Sequence, residues 1–393
     1  MRVAINGIGV AGPTLAYWLR RYGHEPVMFE KAPALRTGGH VIDFWGLGYA
    51  IAERMGLIPV LRQRGYMMKR LRMVDGHGHD DANLDLTMMR ELLGGRFISL
   101  ARADLSSGLF SACEGIPAHF GTTITGLVRG RNALMLTFDN GRRDEFDFVV
   151  GADGLHSQVR QLTFGPQAKF EKPLDCYVAA FRISGYPRRD ELTYVSHTVP
   201  GRQVGRVSLR GDETLILLIC RASLIGSEPP ALERQKEALR WAFSNMDWEV
   251  PDILDAMDGV EDIYFDRVSQ IHLPCWSSGR VALIGDAAAC ASLLAGEGAG
   301  LAMIEAYVLA GEIHRANGNF QRAFASYEAR LRRFVTAKQQ SALRFRSFFA
   351  PRSALALGIR NFSVNCLSHP FFARRFVTRS IQDTFELPSY LRS

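Results

Sequence analysis

Cysteine is sparse and dispersed: the six in this 393-residue chain stand at 113, 176, 220, 275, 290 and 366, with no CxxC pair and no Cys/His cluster. That argues against a disulfide framework, a zinc site and a cysteine-ligated iron–sulfur centre, and it leaves a reduced, cytoplasmic protein as the expectation. No run of about 20 apolar residues is free of charge, so no membrane span is expected. The longest apolar stretch, 281–309, is interrupted by Asp286, Glu297 and Glu305. The opening residues MRVAINGIGVAG contain no basic leader ahead of an apolar segment, so no secretory signal is expected. Internal repeats and low-complexity linkers are also missing. With 47 % hydrophobic and 22 % charged residues, the composition is that of a globular protein, and the length suits two or three domains.

Acidic residues are scarce at one end. Twelve of the 47 Lys and Arg residues lie from Arg330 onward, opposed there only by Asp383 and Glu386. The rest of the chain has 35 basic against 38 acidic residues, so the net charge of +7 belongs to a tail. A nucleic-acid partner, which wants a basic face on the folded body, is not expected.

Residues 2–6 read as an apolar strand, followed by a glycine-rich turn, a helix over about 13–22 and a second strand at 26–30. This is a βαβ unit. Helices are predicted over 45–58 (ending near Gly56), 100–114, 231–246 and 298–316, and strands over 122–128, 133–138, 146–150 and 280–284. Between 170 and 225 the pattern changes to short strands at 176–183, 192–199, 203–209 and 214–220, the signature of an antiparallel sheet. From Phe320 an apolar stripe through Phe324, Tyr327, Leu331 and Phe334 marks a long amphipathic helix. The fold class expected is α/β: a Rossmann-like domain, a second and mainly antiparallel domain, and C-terminal helices. The predicted division assigns 1–72, 98–167 and 268–330 to the first domain, 73–97 and 168–267 to the second, and 331–393 to a basic helical segment.

Three motifs carry chemistry. In Gly7-Ile8-Gly9-Val10-Ala11-Gly12, between a strand and a helix, Gly7 serves the tight turn, Gly9 lets a pyrophosphate approach the backbone, and Gly12 allows close helix–sheet packing. Glu30 closes the next strand 18 residues after Gly12, where a carboxylate accepts from ribose hydroxyls. Together these predict a dinucleotide site on a helix N-terminus. The second motif is GADGLHSQVR, 151–160. The third is Gly285-Asp286-Ala287-Ala288 with Gly296-Glu297-Gly298-Ala299-Gly300. Each starts at the C-terminal end of an apolar strand and sets an Asp beside glycine backbone. Taken singly, either is equally a strand-end turn capped by Asp.

In this order, from Val3 to about Gly311, the three resemble the flavoprotein monooxygenases of the para-hydroxybenzoate hydroxylase type. The resemblance implies FAD in the glycine-rich site. It implies Glu30 with Lys31 at the adenosine ribose, Asp153 near the pyrophosphate, and Asp286 on the ribityl and pyrophosphate portion. Arg36 and Arg102 would lie against the phosphates and ribityl chain, and the backbone at Gly296, Gly298 and Ala299 would face the flavin ring. It further implies NADPH or NADH as transient reductant, a flavin C4a-hydroperoxide formed with dioxygen, and oxygen transfer to a small electron-rich aromatic, polycyclic, polyketide-like or enol substrate. An oxidase, dehydrogenase or reductase on the same fold is the alternative. The stretch 34–57 and the LPSY end also resemble a branch related to tetracycline-modifying monooxygenases. Three positions depart from the family pattern: Ala289 stands where His is common, Leu293 where Pro is, and Gly300 where Asn is. No catalytic acid or base is assigned and no metal is expected. His197, Tyr194 and Arg210 read as ordinary strand residues, and Phe44, Trp45 and Phe181 as core. The chain is expected to be a monomer or homodimer. Its aromatic, basic tail is expected to pack on the body, leaving its arginines in water, rather than to bind membrane.

Overall fold

The strand Arg2–Asn6 (RVAIN) is buried along nearly its whole length, as a central parallel strand must be when both sheet faces are covered. It pairs in parallel with Phe148–Gly151 on one side and Glu25–Glu30 on the other. Val281–Leu283 and Ala118–Phe120 extend the sheet outward, and a short antiparallel Ser277–Ser278 closes one edge. In this computed structural model the described residues are 1–36, 40–227, 229, 231–292, 294, 296–376 and 385–390. The helix Ala11–Arg21 turns Leu15, Ala16, Trp18 and Leu19 into the core and packs against Gly298–Arg315, a helix buried on almost every side.

The second large sheet has seven strands in the order Tyr264–Ile271, Glu171–Ser184, Glu213–Arg221, Arg202–Ser208, Thr193–Val199, Arg70–Val74 and Asp80–Asp85. All pairings are antiparallel except that of Thr193–Val199 with Arg70–Val74. Leu232–Phe243 and Val250–Ala256 cover one face, burying Leu239, Phe243, Ile253 and Leu254 against Phe181, Ile216 and Leu218. The long helix Phe320–Phe349 ties this sheet to the strand-end loops of the parallel sheet. Its buried Gln339 donates to the Ile271 and Cys290 carbonyls, and Gln270 donates to the carbonyls of Ala291 and Gln339.

The helix expected at 45–58 and ending near Gly56 is Gly46–Arg54, stopped by Gly56 at a positive φ of 73°; a second helix, Ile58–Arg64 with Pro59 at its start, follows it. One sequence expectation needs correction. The predicted helix 100–114 begins as a strand, Phe97–Ala101, which pairs antiparallel with Val41–Trp45 before the helix Arg102–Ser111. The tail forms two further helices, Ala354–Leu367 and Pro370–Phe376, separated from the long helix and from each other near Pro351 and Pro370. Residues 385–390 lie back on the parallel-sheet domain.

Candidate cofactor and substrate site

The first turn is as tight as its glycines predict. Gly7 has φ +112°, and a Cβ there would lie 2.4 Å from the Ala152 carbonyl oxygen. A Cβ on Gly12 would sit 2.0 Å from the Gly7 oxygen. Gly9 differs: its Cβ position meets only the Arg102 guanidinium, 3.8 Å away. The loop is therefore packed behind and open in front, with a cation over the opening. Arg102 reaches that place because the strand Phe97–Ala101 delivers it to the first turn of its helix.

The three acids differ in what holds them. Glu30 accepts from the backbone N–H of Ile8 at 2.9 Å and of Ala32 at 3.0 Å, so it braces the glycine turn and the chain beyond it. Asp153 is engaged by four internal donors: Asn6 Nδ2, Ser157 Oγ and the amides of Gln158 and Val159, all within 3.1 Å. This carboxylate fixes the second motif to the first strand and to the helix Gln158–Phe164. Asp286 is half-buried at the start of its short helix, and its carboxylate lies 3.8 Å from where a Cβ on Gly298 would be. Asp286 thus lies beside the backbone at Gly298. Lys31, Arg36 and Gly296 are exposed. Among the described residues, no hydrogen bond or ion pair ties Lys31 or Arg36 to the loop.

Arg160, which ends the second motif, links it to the third. It is fully buried and donates to the Ala287 carbonyl at 3.1 Å, the Leu155 carbonyl at 2.5 Å and Gln167 Oε1 at 2.9 Å. Glu305 holds the third motif from behind. Its Oε2 accepts from the Gly285 amide at 2.5 Å and from the Tyr327 hydroxyl at 3.2 Å. Burial pushes the Glu305 carboxyl up to about 8, against the pull of those two donors.

Beside these loops lies a cavity lined by Asp43, Phe44, Trp45, Gly48, Glu297, Gly300 and Lys338. The Asp43 carboxylate is reached by solvent yet sits deep among protein atoms, as expected at the wall of a half-open cleft. That depth raises its pKa, opposed by a hydrogen bond from Ser99 Oγ. Lys338 and Glu297 pair at 2.9 Å on the same cavity. His40 and Tyr264 stand nearby with ring centroids 6.4 Å apart. Burial and then the Arg102 charge lower the His40 pKa to about 4. Gly300 comes so close to Gly48 that a Cβ on Gly48 would lie 2.7 Å from the Gly300 Cα. Ala289 is buried, and Leu293 lies outside the described residues.

Of the aromatics expected in the core, Phe181 and Phe44 are there, Phe44 also contributing to the cavity wall, while Trp45 is half-buried and lines the cavity. His197 is buried with Nδ1 2.9 Å from the Val74 carbonyl, Tyr194 is half-buried with its hydroxyl against Gly205, and Arg210 donates to the carbonyls of Arg64 and Gly65. These are strand and loop fastenings. Sequence reading missed Asp43, Ser99, Glu305 and Lys338. The alternation of VIDFW was the available signal for Asp43.

An anion-ready glycine turn under an arginine, a half-buried carboxylate, and glycine backbone beside it fit a flavin dinucleotide. The fold and these loops define a nucleotide-binding flavoprotein. The chain matches the FAD binding domain family model over residues 1–341 and belongs to that family. It is 33 % identical over 347 residues to a flavin-dependent monooxygenase from an unknown prokaryotic organism, covering 86 % of this chain and 87 % of the relative. The tetracycline destructase Tet(51) superposes with a TM-score of 0.83 at 29 % identity, covering 99 % of both chains. Klebsiella pneumoniae HpxO, solved with FAD and uric acid, shares the fold at 19 % identity with a TM-score of 0.78 over 93 % of this chain and 92 % of its own. The protein is an FAD-dependent monooxygenase.

Proposed function

We propose that this chain is a single-component hydroxylase in which NADPH or NADH is the reductant and an electron-rich aromatic, polycyclic or enol compound is the substrate. The observation that carries the reading is the continuity of the two halves of the site. The Gly9 opening and Asp286 mark out a dinucleotide path, and the cavity at Asp43, Phe44 and Trp45 lies beside the glycine backbone where that path ends. In this reading the helix N-terminus behind Gly12 and the Arg102 guanidinium hold the phosphates. Glu30 faces the adenosine ribose, with Lys31 and Arg36 at the outer edge. Asp286 accepts from ribityl hydroxyls, and Asp153 acts by anchoring the second motif.

Bound FAD supplies hydride acceptance and the activation of dioxygen. The chain's own residues do the rest. The amides around Gly296, Gly298 and Ala299 direct positive potential at the ring edge. Phe44 and Trp45 offer apolar faces that keep water from the reacting centre. Asp43, backed by Ser99, offers a carboxyl to orient a substrate oxygen. We assign the parallel-sheet regions to cofactor binding and the seven-stranded sheet to the substrate side. The test is NAD(P)H oxidation by the yellow protein across phenols, polyketides and quinolones. Faster oxidation with a stoichiometric oxygenated product supports the reading. Substrate turnover without oxygen incorporation favours the dehydrogenase alternative.

A further inference from the structure

The helix Ala354–Leu367 is apolar on two opposite faces. One face is fixed to the body: Val364 packs with Met73 and Ala82, and buried Arg360 donates to Thr198 Oγ1 at 3.0 Å. Asn365 Nδ2 donates to the Asp81 carbonyl, and Ser368 Oγ to that of Asn83. The opposite face carries Leu355, Ile359 and Phe362, spaced as one helical stripe and 75 %, 60 % and 71 % exposed. The adjoining helix Pro370–Phe376 adds Phe371, 64 % exposed, and Phe372. A surface helix of a self-contained protein is polar on its outer face, and exposed apolar patches of this kind mark contact surfaces.

The charge around the patch selects the partner. From 351 to 376 the sequence contains four arginines and no Asp or Glu, and of the four only Arg360 is buried. Arg352, Arg374 and Arg375 are exposed at the ends of the patch. The nearest acid bonded to the helix, Asp81, lies on its fixed side. A second copy meeting this face through a two-fold axis would set these arginines against themselves. Phospholipid headgroups reverse that sign, and a lipid surface takes up leucine, isoleucine and phenylalanine beneath cationic side chains. At 14 residues the helix is too short to cross a bilayer, so it lies along the surface.

We propose that the Leu355–Ile359–Phe362 face, with Phe371 and Phe372, docks the enzyme on an anionic lipid surface. This departs from the expectation that the whole tail only packs on the body. It does not depend on the substrate assignment.

The experiment is flotation of the flavin-loaded, full-length protein with phosphatidylcholine vesicles containing or lacking phosphatidylglycerol. The protein is expected to float with the anionic vesicles, to be released by high salt, and to stay in solution with phosphatidylcholine alone. Leu355→Ser/Ile359→Ser/Phe362→Ser and, separately, Arg352→Gln/Arg375→Gln should each weaken binding by at least about tenfold, with the flavin spectrum retained. Should the serine variant fail to fold, the glutamine variant and the salt dependence carry the test. Failure to float, or flotation unchanged by the glutamine pair, overturns the proposal. A dimer in sedimentation that the serine substitutions dissociate assigns the face to a second copy instead.

Discussion

Replacing Glu305 by Gln removes a buried acid whose protonation couples to folding. Glu305 is 1 % exposed, and among the described residues its Oε1 has no hydrogen-bond partner. Burial is the main cause of its rise from 4.5 to about 8, and the Asp286 charge adds to it. Between those two values the unfolded chain has released a proton that the folded protein retains. The folded state binds more protons there, so its stability falls as pH rises, by about 1.4 kcal/mol per pH unit. Across the full interval this is of order 5 kcal/mol. Above pH 8 both states are ionised and the slope from this group vanishes. Glutamine retains an acceptor for the Gly285 amide and has no proton to lose. The flavin-loaded wild type and Glu305→Gln should therefore diverge between pH 6 and 8 in denaturant unfolding followed by tryptophan fluorescence, the variant gaining at the higher pH. Parallel pH profiles for the two proteins would refute a neutral Glu305.

Asp286→Ala should weaken FAD binding roughly 10- to 150-fold, the loss of a charge-assisted acceptor worth about 1.5–3 kcal/mol, and titration calorimetry on the apoprotein measures it. Gly12→Ala should give colourless protein, because the new Cβ would fall 2.0 Å from a backbone oxygen. Tyr390→Ala should cost roughly 3 kcal/mol in thermal unfolding while leaving the flavin spectrum unchanged. Its ring covers Gly311, its hydroxyl donates to Glu312 at 2.7 Å, and Arg315 lies 4.4 Å above it.

The parts of the fold legible in the sequence were those whose local signals agree with their burial. RVAIN before GIGVAG, FVVG before ADG and VAL before IGD are apolar strands that stop at glycine, and each is a parallel strand of the first sheet. The strands at Val41–Trp45, Arg70–Val74, Asp80–Asp85 and Tyr264–Ile271 were missed, since charged residues keep them from forming continuous apolar runs and their pairing is non-local. Glycines at 7, 9 and 12 proclaimed their geometry because only a backbone requirement explains their spacing. Asp153 read as a ligand-facing acid, whereas the structure shows its oxygens engaged by protein donors, which no spacing rule distinguishes. Glu305 and Asp43 act through depth, a property of the folded chain. The aromatic, basic tail was expected to pack on the body, and the structure shows that only one face of Ala354–Leu367 is covered.

Turnover under isotope-labelled dioxygen, with an accepted substrate and NAD(P)H, tests the central claim most directly. The account predicts one labelled oxygen atom in each molecule of product and no product under anaerobic conditions. An unlabelled product, its new oxygen drawn from water, or product formed without dioxygen, would contradict it.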